Sequence, residues 1–228
     1  MVILPIAGNV TGTLGTVYTT DITLANGRDS AQDVIVSWLP QGGGNVTSFH
    51  LILPPSSDAT TNGVLTIPDF AGAFGISGVG SLVIAGVDSK GDADPSAAIT
   101  ASADIWSHPP DQRAPFAQTV NAIPRQAALA HTQAEITGLQ QDAAFRTNVG
   151  VANLSAQTHF YLLTVSGERT TNSFAMTIPP FSLSQVPLPD SDYGALTVTI
   201  TADASTDWGA YGSTIDRATG EARTITGH

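Results

Sequence analysis

Five short runs of the chain read as strands, and several of them alternate apolar with polar residues at a period of two. They are residues 18–25 (YTTDITLA), 33–39 (DVIVSWL), 48–53 (SFHLIL), 63–67 (GVLTI) and 81–87 (SLVIAGV). These runs are rich in Val, Ile and Thr, and a period of two sends alternate side chains to opposite faces of a strand. Between them stand Asn26-Gly27, Gly42-Gly43-Gly44, Pro54-Pro55 and the glycines at 78 and 80. Gly and Asn accept positive φ and Pro fixes φ near −65°, so these are turns and corners. Short strands at regular spacing predict an all-β, antiparallel sandwich architecture. Helix is expected only over residues 70–76 and as a single turn in the Ala-rich stretch before residue 133.

The pattern then returns. An offset of 127 carries Tyr18, Thr20, Ala25 and Asn26 onto Phe145, Thr147, Ala152 and Asn153. At an offset of 125, Ser30-Ala31-Gln32 meets Ser155-Ala156-Gln157, and Ser48-Phe49 with Pro54-Pro55 meets Ser173-Phe174 with Pro179-Pro180. Gly80-Ser81-Leu82 meets Gly194-Ala195-Leu196 at 114. Chemically unlike positions that line up in order are the signature of a tandem repeat. The expectation is two tandem immunoglobulin-like antiparallel β-sandwich lobes related by internal duplication. The first spans residues 1–108 and the second 134–228. The stretch 109–133, with prolines at 109, 110, 115 and 124, reads as a Pro/Ala-rich connector.

Composition narrows the partners. The 228 residues carry 42% hydrophobic and 12% charged side chains, with a formal net charge of −11 and eight Lys and Arg. Nucleic acid and anionic membrane surfaces need Lys and Arg to neutralise phosphate, so neither is an expected partner. No cysteine occurs, which excludes disulfides, thiol chemistry and thiolate metal sites. No apolar run approaches the roughly 18–20 residues of a membrane-crossing helix, so no membrane insertion is expected. The opening Met1-Val2-Ile3-Leu4-Pro5 has neither a basic n-region nor a cleavage site, so any export signal is expected to have been removed or never present.

Candidate chemistry is sparse. Asp88, Asp92 and Asp94 crowd the loop VDSKGDADP, where carboxylates around a glycine bend could hold a hard cation such as Ca²⁺, although the spacing is not that of an EF-hand. Solvated hairpin carboxylates are the plainer explanation, and Asp203 and Asp207 stand at the matching loop of the second half. His50, His108, His131, His159 and His228 show no metal-binding spacing, and no nucleophile elbow or phosphate loop is present, so no catalytic residue is assigned. Trp106, Trp208 and Tyr211 fall near predicted loops and are the candidate ligand-binding residues, since large amphipathic rings stack on sugar faces. Trp38 lies in an apolar run and reads as core.

Several segments resemble a known but uncharacterised module. GLQQDAAFRTNVGVANLSAQ, the Pro-Pro corner and GAYGSTIDRATGEA, together with ILPIAGNVTGTLGTVYTTDITLAN and APFAQTVNAIP, are similar to a tandem β-sandwich repeat found in secreted and surface proteins of bacteria, some of them proteases. The resemblance implies an extracellular or cell-surface setting. The duplication, the polar surface and the absence of a convergent site lead to the expectation of a non-catalytic structural or interaction module without a cofactor, one that self-assembles through edge strands or mediates adhesion to a protein or glycan partner. The alternative is a carbohydrate-binding module that uses the loop aromatics and is ordered by Ca²⁺. The insertion at 88–98 and the Trp106 region depart from the module's pattern.

Overall fold

The structure, a computed structural model, describes residues 1–12, 15–110 and 115–227. Part of the Gly-rich segment near residue 13, part of the connector and His228 lie outside the described residues. In the first half the chain forms β1 (Val2–Thr11), β2 (Val17–Asn26), β3 (Gln32–Pro40), β4 (Thr47–Leu53), β5 (Val64–Ile67), α1 (Phe70–Ala73), β6 (Gly78–Val87), β7 (Ile99–His108) and β8 (Phe116–Asn121). Next come the short β9 (Ile123–Pro124) and α2 (Arg125–Ala128), a single helical turn. The second half contains β10 (His131–Gln141), β11 (Phe145–Asn153), β12 (His159–Gly167), β13 (Thr171–Ile178), β14 (Ser182–Pro187), β15 (Gly194–Thr206), β16 (Trp208–Asp216) and β17 (Ala222–Thr226). The runs predicted as strand fall on β2, β3, β4, β5 and β6, with Gly63 one residue before the start of β5. The protein is all-β, with antiparallel sheets.

The strands make four sheet faces. Sheet A runs β4-β3-β6-β1 and sheet B runs β5-β2-β7-β8. Sheet C runs β14-β11-β16-β17 and sheet D runs β10-β15-β12-β13. Strand β1 belongs to both A and B. Its start pairs with β6, its register shifts between Leu4 and Ala7, and its tail pairs Val10 and Thr11 with Tyr18 and Val17 of β2. Pro5 sits at that shift, where a residue without an N–H removes no ladder bond, and its carbonyl accepts a hydrogen bond from Ser81 Oγ at 2.7 Å.

Period two then sorts the side chains. Leu4, Val34, Val36, Trp38, Leu82 and Ile84 from sheet A meet Ile22, Leu24 and Ala103 from sheet B, and Phe70 of α1 closes one end of this core. Phe49 packs edge-on against Phe70 with ring centres 5.8 Å apart. A second core joins Ile136, Tyr161, Leu163, Val165, Val198 and Ile200 of sheet D to Val149, Val151, Trp208 and Ala210 of sheet C.

The segment expected to be a plain connector is largely structured. Its prolines flank β8 without interrupting FAQTVN, so that stretch is free to pair with β7 from Ser102↔Asn121 to Ser107↔Phe116. Ile123 and Pro124 then add to the start of β1, opposite Ile3 and Val2.

The outer face of sheet A rests on the outer face of sheet C. Ile6 and Val79 pack on Ala152, Leu183 and Tyr211, while Ile3 and Val83 join Ile123, Ala128 and Leu154. The Gly42 N–H donates to the Leu183 carbonyl at 2.8 Å across the same junction. The two halves therefore dock through apolar sheet faces.

Candidate functional site

Two of the three candidate aromatics are core residues, which corrects their reading as loop aromatics. Trp208 and Tyr211 of β16 are each 0% exposed, Trp208 because it lies in the second core and Tyr211 because it lies at the junction between the halves. They face opposite ways. Trp208 stacks on His131 with centroids 4.2 Å apart and meets Tyr161 edge-on at 5.3 Å. Its indole N–H donates to the His131 carbonyl at 3.0 Å, and the His131 ring nitrogen Nε2 lies 2.9 Å from the Trp208 carbonyl. Tyr211 lies on the other face, across from Gly150, and donates its hydroxyl to Gln185 Oε1. Burial raises the phenol of Tyr211 above its ordinary pKa, so it remains a neutral donor.

Trp106 stands apart from that pair. It is half-buried on the outer face of sheet B, and its indole N–H donates to Asp21 Oδ2 at 2.9 Å. The three aromatics thus share no surface.

The carboxylates of the 88–94 loop are likewise not gathered around one point. Asp88 Oδ1 accepts the backbone N–H groups of Lys90 at 2.8 Å and Asp92 at 3.0 Å, closing its own turn. Asp94 turns the other way. It accepts the Ser96 hydroxyl at 2.6 Å and N–H at 2.8 Å through Oδ1, and the Arg28 guanidinium at 2.6 Å through Oδ2. The Ser96 bonds first, and then Arg28, hold the Asp94 carboxyl below its ordinary pKa. Among the described residues no group of three His, Cys, Asp or Glu side chains is placed to hold a metal. The loop reads as self-capped turns, and Asp92 contributes its carbonyl to the Asp88 N–H at 2.8 Å. Asp203, at the matching position, accepts from His159 Nδ1 at 2.8 Å and from the Phe160 N–H at 3.1 Å.

Two features went unnoticed in the sequence. The first is a cavity of about 370 Å³ where the halves meet, between the inner face of sheet B and the outer face of sheet C. Ile6, Val10 and Ile105 line it from one half, and Pro187, Ile215 and Ala222 from the other. Among them stand Gln118 and Arg146. No sequence signal announces a cavity of this kind, because it exists only once the halves dock.

The second is the outer face of sheet D. Phe160 is 44% exposed and Leu162 41%, both on β12. They face Thr177 and Ala175 of β13, and Leu162 also faces Thr201 of β15. The run HFYLL carries apolar residues at consecutive positions, so both faces of the strand are apolar, and only one of them can be core.

No family model matches the chain, and no curated protein or solved structure matches it either.

Proposed function

We propose that the chain is a non-catalytic interaction module of an exported bacterial protein, built from two duplicated immunoglobulin-like lobes, which adheres to a partner protein through the outer face of sheet D. The observation that carries this reading is the exposed pair Phe160 and Leu162 on the second strand in from a sheet edge. Apolar side chains grouped on a flat, solvated sheet face are disfavoured in water unless something covers them, and such patches mark protein contacts. Ala175, Thr177 and Thr201 stand opposite them, and the Asp203 carboxylate, which accepts the Phe160 N–H, marks one end of the patch.

Support for the duplication comes from strand order. β4-β3-β6-β1 and β5-β2-β7-β8 in one half correspond to β13-β12-β15-β10 and β14-β11-β16-β17 in the other. Support for the cell-surface setting comes from the resemblance of the segments around residues 138–157 and 209–222. Strands β4 and β13 are the matching sheet edges, and self-assembly would use them.

The test is adhesion of the labelled, purified chain to intact cells of the species that exports it. Wild type should adhere, and Phe160→Ser with Leu162→Ser should not. Equal adhesion of the two proteins removes sheet D from the reading.

A glycan partner is a second reading, now confined to Trp106. The ring sits on the outer face of sheet B beside Asp21, and Asp104 faces Asp21 across the ladder, so carboxylates capable of accepting sugar hydroxyls lie next to a π face. A glycan array that shows Trp106-dependent binding would support it.

A further inference from the structure

We infer that the cavity between the two halves is a binding site for a small amphipathic carboxylate, with Arg146 as its anion partner. This inference stands independently of any role for sheet D.

Arg146 is half-buried on the outer face of sheet C, where it lines the cavity. The arginine ion pairs among the described residues are Arg28–Asp94, Arg169–Asp192 and Arg217–Asp190, and Arg146 enters none of them. Its side chain makes no hydrogen bond among the described residues, in a chain with 19 Asp and Glu. A guanidinium drawn partly out of water and given no carboxylate is a costly arrangement, which an arriving anion relieves by charge-assisted, bidentate hydrogen bonds.

A second polar group points to the same ligand. Gln118 Oε1, in the opposite wall, is buried without any hydrogen-bond partner. Buried acceptors in folded proteins are nearly always paired, so this one calls for a donor from whatever fills the cavity. Three further polar side chains of the wall are already engaged, while Tyr18 and Asn148 also line it. Thr20 exchanges bonds with Gly8, Gln185 accepts from Tyr211, and Ser213 accepts from Thr224. Its apolar part is formed by Ile6, Val10, Ile105 and Ile215.

A carboxylate on Arg146, a hydroxyl or N–H on Gln118 and an apolar body between them satisfy all three parts of the wall. The volume falls within the range of small-molecule sites, roughly 300–1,000 Å³. The net charge of −11 opposes an anion only at long range, and salt at physiological strength screens that field beyond roughly 8 Å. The local guanidinium therefore decides.

4-Hydroxyphenylacetate supplies each element and serves as the probe, with the neutral 4-hydroxyphenylethanol as its control. Calorimetric titration of the full chain should show one site for the acid. Arg146→Gln should weaken it by at least about tenfold. The neutral control should bind as weakly to wild type as the acid binds to that variant. Ala222→Phe, which fills the cavity from β17 and leaves Arg146 in place, should abolish binding of both. Amide resonances of Arg146 and Gln118 should move during the wild-type titration. Absence of binding by wild type at about 10 mM, or equal affinity in wild type and Arg146→Gln, overturns the proposal, since either would leave the guanidinium without the anion-binding role claimed for it.

Discussion

Asn26 and Asn153 make the same clamp in the two halves. Each is the buried last residue of its strand, β2 or β11. Asn26 Nδ2 donates to the carbonyls of Ser30 and Pro54 at 2.8 and 2.9 Å, while its Oδ1 accepts the Arg28 N–H at 2.9 Å. Asn153 Nδ2 donates to Gln157 and Pro179 at 2.7 and 2.9 Å, and its Oδ1 accepts the Ser155 N–H at 3.0 Å. One side chain thus closes a turn and ties it to a Pro-Pro corner, where the prolines offer carbonyls and no N–H.

Asn153→Ala should therefore cost about 2–3 kcal/mol, because it strands buried carbonyls and one N–H rather than deleting a single neutral bond. The midpoint of urea unfolding, followed by far-ultraviolet circular dichroism, measures it. Asn153→Asp should lose at least as much, since it keeps an acceptor for the Ser155 N–H but sets a buried carboxylate against the carbonyls that Nδ2 serves.

Gly150→Ala should loosen the junction between the halves. A Cβ at Gly150 would come within 2.1 Å of the Tyr211 ring, which lies flat across β11 at that point. The ring must then move, and its bond to Gln185 and its packing against Ile6 and Val79 move with it. We expect a lower melting temperature together with faster protease cleavage between residues 109 and 131.

Trp208→Ala should be far more damaging than Trp106→Ala. The first opens a cavity in the second core and unstacks His131, for a loss of about 3–5 kcal/mol. The second removes a half-buried ring from an outer face. Urea unfolding of the two variants side by side gives the ordering.

The acid limb of the stability profile should depend on Asp203. The hydrogen bond from His159 leads in lowering its carboxyl pKa, with the Phe160 N–H adding to it. A carboxyl depressed in the folded state contributes stability that is present above the ordinary Asp range and is lost as pH falls through the depressed value. Wild type should therefore be more stable than Asp203→Asn at neutral pH, and the difference should shrink as the pH drops below about 4. A gap that stays constant down to pH 2 would separate Asp203 from the acid limb.

Much of the scaffold is written locally in the chain. Alternation placed the strands, glycine and proline placed the corners, and the apolar neighbours of Trp38 marked it as core. Trp208 and Tyr211 misled because Gly209 and Gly212 beside them imitate a turn. In the folded chain Gly212 clears space for Leu139, and Gly150 clears it for Tyr211, so small residues mark close approach rather than a loop. The Asp88 loop misled for a related reason. Carboxylates close in sequence were satisfied by neighbouring N–H groups and by Arg28, a residue 66 positions away from Asp94. The cavity and the isolation of Arg146 depend on how one sheet face meets another, and no local pattern encodes that.

The adhesion reading rests on Phe160 and Leu162, and the most direct measurement is the binding isotherm of the labelled chain on intact cells of the exporting species. The account predicts saturable binding by wild type that falls at least about tenfold in the Phe160→Ser, Leu162→Ser double variant, with both proteins equally folded by circular dichroism. Saturable binding of equal strength by the two proteins, or no binding by wild type, would contradict it.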